Sequence, residues 1–483
     1  MLITTLLLTL GAVVPNHPKD LVFPEYVFSP PTAEMFREQL SNGVPIFIVE
    51  DRELPLINIV ATFRGGSYLD PVDRVGLCSM MASLVRGGGT TTISAEALDE
   101  RFAFLAANTS VRGGFTTVTA SLNCLSSNFE ESFSLFIDML QHPRFQESRL
   151  QLEKDDLVEN MKQRNDFPSG ILRREFSSQL FGDSYLGRQP VVASTQTVTS
   201  LELRNIHAAI INPENLILSI SGDFDRDEML QRLERALSSW DGGTAVREPS
   251  EVISKFEPGV YYVDQDVSQG GVRIGLRSLR RGDPDAEAAK IMNYILGGGG
   301  FSSRITQKVR SDEGLAYSAR SSFTEGVWGD GRWSAGFESK SQTVALAAKL
   351  VFDEINRIRT EVVSDKELDH AKMALIERFP SAFQSKARTL AVFVNDELTS
   401  RDTSYWTTYC DKISRVTAQD VLQIAQRLLR PEDMVVVIVG DWDEIKNGDA
   451  GGRATMEDIQ SFFKSGVTEL PLRDPLTLEI PND

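Results

Sequence analysis

The segment Asn212-Pro213-Glu214-Asn215-LILSIS-Gly222-Asp223-Phe224-Asp225 returns 218 residues downstream as Arg430-Pro431-Glu432-Asp433-MVVVIV-Gly440-Asp441-Trp442-Asp443. A turn, an apolar run and a closing Gly-Asp describe one strand with its flanks, and repetition at a fixed distance signals a duplicated domain. Other features repeat with it: Gly43-VPIFIVED is answered by Gly259-VYYVDQD, and the glycines Gly87 to Gly89 by Gly297 to Gly300. The 483 residues hold two copies of about 220 residues each. The division this implies is an N-terminal segment 1–20, a first domain 21–240, a linker 241–258, a second domain 259–465 and a tail 466–483.

Within each copy, runs such as VPIFIV and LINIVATF read as strands, whereas Phe133, Phe136, Ile137 and Leu140 recur at helical spacing. Strands mixed with long helices in non-strict alternation predict an α+β fold: a tandem pair of homologous domains, each a mixed or antiparallel sheet with helices packed on one face. The joint Trp240-DGGTAVREPSE is rich in Gly, Pro and charge, as a linker is. The tail after Phe463 carries Pro and acidic residues and reads as an extended strap.

Lys plus Arg number 50 against 68 Asp plus Glu, a formal charge of -18 that repels phosphate backbones and anionic lipid. This argues against a nucleic-acid partner. Three scattered cysteines, Cys78, Cys124 and Cys410, lack any Cys-x-x-Cys spacing and read as free core thiols. The four histidines, His17, His142, His207 and His370, form no paired metal motif. Leu2 to Val14 is apolar and uncharged, too short to span a membrane and sized for an export signal, although no basic residue precedes it. The expectation is a periplasmic or secreted protein without an integral span, with the cytoplasm as the alternative.

Several motifs together resemble the insulinase-like, or pitrilysin, family of zinc metallopeptidases, over about residues 30 to 465. They are the Asn42-Gly43 strand opening, Gly65-Gly66-Ser67 with Gly76-Leu77, Gly87-Gly88-Gly89-Thr90, Asn108-Thr109, both Pro-Glu…Gly-Asp signatures and LGGGGFSSRITQKVRSDEGLAYS. The similarity is greatest to the paired-subunit forms related to mitochondrial processing peptidase. That family holds zinc with His-x-x-Glu-His on a helix, where two imidazoles one turn apart share a face and the Glu activates water. This chain departs from the family there. Ser79 and Ser83 stand for the two histidines and Ala82 for the Glu. Counting back from Pro168 puts Asn160 at the third ligand, with Glu159 beside it but turned about 100 degrees away. Neutral hydroxyls and an amide do not replace anionic or imidazole donors, so this chain is expected to bind no cofactor, and the zinc to sit in a partner.

The resemblance also matches Arg310 and Tyr317, seven residues apart, to an arginine and tyrosine that the family brings to its zinc site from the far half. It implies that the phenol donates to a developing oxyanion and the guanidinium grips a carbonyl or carboxylate. Read without it, they are a solvated Arg at a helix end and a Tyr opening a strand. Gly297, Gly298, Gly299 and Gly300 lack the Lys-Ser/Thr of a phosphate loop and are either a helix-end turn or a mobile loop touching substrate. Asn108 and Thr109 begin either a structural edge strand or one to which a peptide adds.

Two functions follow as expectations. In the first, the chain is the non-metal subunit of a heteromeric peptidase, inactive alone, supplying Arg310 and Tyr317 to a zinc-bearing partner of the same fold as a heterodimer or to a second copy as a homodimer. In the second, it is an inactive pseudo-peptidase that binds peptides or acts as a scaffold.

Overall fold

The computed structural model describes His17 and residues 28–240, 242–252 and 256–481. The apolar run Leu2 to Val14, and parts of the linker, lie outside the described residues.

Two six-stranded mixed sheets organise the chain. The first contains β1 (Arg37–Gln39), β2 (Pro45–Glu50), β3 (Leu56–Arg64), β4 (Asn108–Gly113), β5 (Thr117–Leu125) and β6 (Leu216–Gly222) in the order β1-β2-β6-β3-β5-β4. The second contains β7 (Gly259–Asp264), β8 (Gln269–Ser278), β9 (Ala319–Thr324), β10 (Gly331–Lys340), β11 (Val435–Gly440) and β12 (Val467–Glu469) in the order β12-β7-β11-β8-β10-β9. Five strands therefore correspond one to one, and in both sheets the repeated apolar run is the parallel neighbour of the first long strand. Only the outermost strand differs. β1 precedes β2 and runs antiparallel to it, whereas β12 comes from the tail and runs parallel to β7.

One face of each sheet carries that half's own helices. Ile46, Ile48, Ile57, Ile59, Phe63 and Leu122 meet Met80, Met81, Phe102, Phe136, Leu203 and Leu233 in the first core. Val272, Ile274, Trp333 and Ile438 meet Ile291, Val351, Phe352 and Ile424 in the second. The opposite face of each sheet is covered by a single helix from the other half. Helix Pro168–Phe181 lays Ile171, Leu172 and Phe176 on Tyr261, Val263, Val435, Val437 and Val439 of the second sheet. Helix Lys386–Thr399, 218 residues after it in the chain, lays Leu390, Phe393 and Val394 on Phe47 and Ile217 of the first. This exchange explains why β6 and β11 are buried along their whole length: both of their faces are covered, and a doubly covered strand is continuously apolar.

The tail returns to the first half. Arg473 pairs with Glu175 at 3.4 Å, while Asn165 donates to the Arg473 carbonyl at 2.9 Å and Val192 N–H to that of Leu476 at 3.0 Å. Cys78 and Cys124 are buried thiols; Cys410, against the sequence expectation of a core thiol, is half-buried.

Phe176 sits over Gly275, where an added Cβ would lie 2.7 Å from its ring. Phe393 stacks on Phe36 and Phe47 at 5.8 and 6.4 Å. Phe176→Ala or Phe393→Ala should each cost about 3–5 kcal/mol, read as a fall in the denaturation midpoint. A loss under about 1 kcal/mol at both would mean that the exchanged helices do not hold the halves together.

Candidate functional site

Helix Leu77–Gly87 carries the degenerate motif, and a buried carboxylate starts it. Asp70 accepts the N–H of Gly76 and of Cys78, both at 2.9 Å, satisfying donors that the helix itself leaves unpaired. Burial lifts the Asp70 carboxyl to about 6, against the pull of those two N–H groups. On this helix Ser79 is exposed, Ala82 is buried in the core and Ser83 is half-buried. Ser83 donates its hydroxyl to Glu153 at 2.7 Å. Its side chain thus makes a polar contact from this helix to the next.

Glu153 lies on helix Glu147–Lys162, as does Asn160, which is exposed two turns further on. A separation of seven residues returns to nearly the same helix face, so the spacing from Asn160 could have pointed to Glu153. Glu159 instead pairs with Lys162 at 2.6 Å on the surface. Glu153 is the carboxylate that meets Ser83, and a lone carboxylate does not fit zinc, which takes at least three protein ligands from N, S or O. Among the described residues no group of three or more His, Cys, Asp or Glu side chains could hold a metal. The histidines serve elsewhere. His207 is buried, pushed down to about 4 by that burial, with Nε2 2.8 Å from the Leu140 carbonyl. His142 pairs with Asp138, and His370 meets Ser302.

The edge strand β4 packs beside this helix, so closely that a Cβ on Gly113 would lie 3.0 Å from the Cys78 carbonyl. Asn108 is exposed at its start and Thr109 half-buried. The Thr109 hydroxyl is buried with no hydrogen-bond partner among the described residues, while its carbonyl accepts from Arg86 at 3.4 Å.

The second half gathers another set. Helix Ala286–Asn293 widens into a π-helical turn, Tyr294–Gly298, and Gly300, at φ +62° with open space around it, turns the chain so that Phe301 projects. Arg310 lies in a second π-helical segment, Thr306–Asp312, and Gly314 at φ +63° leads to Tyr317. Such π-turns cluster at functional sites. The Arg310 guanidinium sits 4.5 Å from the Phe301 ring centre and 4.7 Å from that of Tyr317. Both rings are open to solvent, 66% and 85% exposed. Among the described residues neither the guanidinium of Arg310 nor the hydroxyl of Tyr317 has a hydrogen-bond partner, so five N–H donors and one O–H are presented outward. Phe301, which the sequence reading passed over, holds one side of this stack. Tyr317 stands two residues before β9 and does not open it. No hydrogen bond, ion pair or ring contact among the described residues joins this set to Ser79, Ser83 and Glu153.

Against these two constellations stand the similarities to known proteins. The profile of the peptidase M16 inactive domain matches residues 197–375, spanning the end of the first half and most of the second. Over that span the chain is similar to the M16, or insulinase-like, family. It is 24% identical over 408 residues to the non-peptidase homolog YmxG of Helicobacter pylori, covering 82% of this chain and 92% of that protein. The M16 inactive-domain crystal structure from Pseudomonas fluorescens superposes with a TM-score of 0.76 at 22% identity, covering 84% of this chain and 97% of that one. The periplasmic protease PqqL from Escherichia coli superposes at 0.69 and 15% identity, covering 87% of this chain but 48% of its own. The fold of these structures is thus shared over 84–87% of the chain.

Purified alone, the chain should carry no stoichiometric zinc by elemental analysis. Ser79→His, Ser83→His and Asn160→Glu together should give one zinc per chain, because two imidazoles one turn apart would stand beside Glu153 and a restored carboxylate. A folded triple variant that takes up no zinc would place helix Glu147–Lys162 out of ligand range.

Proposed function

We propose that this M16 chain is the non-metal half of a two-chain peptidase, offering Arg310 and Tyr317 to a peptide held at the zinc of a partner of the same fold. The observation that carries the reading is the Phe301, Arg310 and Tyr317 stack. Two rings fix the guanidinium in orientation without consuming its donors, so that its fork remains free for a carbonyl or carboxylate. A solvated arginine at a helix end would need no such housing.

In the proposed complex Tyr317 donates its O–H to the peptide carbonyl oxygen as that oxygen gains negative charge, and Arg310 positions the chain beside the bond to be cut. The partner supplies the zinc and the water-activating carboxylate. Gly297 to Gly300 set the height of Phe301 at the substrate, and Asn108 and Thr109 open an edge on which the peptide adds as a further strand. Export to the periplasm, suggested by the apolar run Leu2 to Val14, belongs to this proposal. No helix among the described residues is long and apolar enough to cross a membrane.

The test is co-expression with a zinc-motif chain of the same fold from the same genome. Tyr317→Phe should leave assembly and peptide affinity unchanged and lower kcat by about 100- to 1000-fold. Arg310→Ala should also raise KM, because a positioning contact acts on the bound ground state too. A kcat within about twofold of the parent for Tyr317→Phe would remove Tyr317 from the reaction. Failure of any such chain to assemble would favour the scaffold reading.

A further inference from the structure

Beyond the apolar patch under helix Pro168–Phe181, the outer face of the second sheet turns polar and basic toward β9, in a chain whose net charge is -18. Along β8 the residues alternate: Val272, Ile274 and Leu276 enter the core, while Arg273 and Arg277 point the other way. Register with β10 and β9 sets Arg277 opposite Arg332, and sets Arg273 opposite Gly336, which is itself opposite Arg320. Like charges facing one another across strands are destabilising, and acidic residues abound in this chain to neutralise them. Arg277 is engaged, donating to the Leu180 carbonyl at 2.9 Å. Among the described residues the guanidinium groups of Arg273, Arg320 and Arg332 make no hydrogen bond or ion pair. Burial, with the repulsion of Arg332 and Arg320, pulls the Arg273 guanidinium below its usual range.

The arginines border a cavity. A recess of about 380 Å³ lies between this face and helix Pro168–Phe181, lined by Arg273, Arg320, Lys340, Tyr317, Glu338 and Ser169 among others. Three cations face a single carboxylate there. Ser169 is in the first turn of its helix, so the partial positive charge of that helix end adds to theirs. Gly336 leaves the hollow in which Arg273 lies: a Cβ there would come within 2.7 Å of its Nη1. β9 ends the sheet, and no further strand pairs its outer edge among the described residues. A peptide added at that edge would turn every second side chain toward Arg320.

We infer that this cleft binds extended peptides rich in Asp or Glu, whose carboxylates pair with Arg273 and Arg320 beside Tyr317. The inference rests on the proposed peptide-binding role and names the substrate class. Carboxylate is favoured by the planar forks of two free guanidiniums, which donate to it two bonds at a time. An extended occupant is favoured by the open strand edge that continues from the recess.

The full-length chain is titrated at low salt with a fluorescently labelled Glu-rich peptide and with its Gln and Lys analogues, with inorganic phosphate as competitor. The Glu-rich peptide should bind most tightly and weaken as salt rises. Arg273→Gln with Arg320→Gln should cut its affinity about tenfold or more while leaving thermal stability unreduced, because the change relieves like-charge repulsion. Gly336→Ala, which displaces Arg273 and keeps every charge, should weaken binding as well. Equal binding of all three peptides would overturn the charge assignment and leave peptide binding standing. Binding of phosphate without preference for Glu over Gln would reduce the cleft to a small-anion site. No binding of any peptide would overturn the peptide-binding role itself.

Discussion

Each sheet is closed on its second face by a helix from the opposite half, and the rest of the structure depends on that exchange. A mixed sheet with helices on one side leaves its other side to water or to a partner. Here Phe176 and Phe393 fill that side near β11 and β6, at the strands where the repeat is strongest. The two halves therefore cannot separate without exposing Val435, Val437, Phe47 and Ile217. The helices cover only part of each face. Beyond them, toward β4 and β9, the exposed sheet surface turns polar, with Asn58, Ser110, Ser121 and Asn123 on the first sheet and the arginines on the second. The same packing thus joins the halves and leaves a polar recess beside them.

The two halves carry different constellations. On the first half, helix Leu77–Gly87 presents small and neutral side chains, and Ser83 donates its hydroxyl to Glu153. On the second half, Arg310 and Tyr317 retain unsatisfied donors held in place by Phe301. An unused guanidinium would be expected to fold onto one of the many carboxylates of this acidic chain, as Arg304 does with Glu367 at 2.7 Å. Arg310 does not, because the rings on either side of it fix its plane.

The architecture was legible from the repeat, since the 218-residue offset relates both β6 to β11 and the two exchanged helices. The exchange itself was not. Helix Pro168–Phe181 carries Ile171, Leu172 and Phe176 amid Arg and Ser, and nothing local says which sheet those side chains will meet. Uninterrupted burial in VVVIVG was the available signal, because a strand apolar on both faces requires two covering layers. In the site, Arg310 and Tyr317 were legible only through the family motif, whereas Phe301 was hidden in a glycine-rich run that reads as a turn. Glu153 stood at a helical spacing from Asn160 that single-position matching passes over. The basic patch of Arg273, Arg320 and Arg332 was not read from the sequence, because residues from three strands come together only through the sheet register.

Hydrogen exchange on the chain, free and in the presence of a zinc-bearing partner and an uncleavable peptide, tests the account most directly. Protection is predicted at residues 297–324, where the glycine turn, the Arg310 stack and the edge strand β9 meet the ligand. Unchanged exchange across that segment, with protection confined to the rest of the chain, would contradict it.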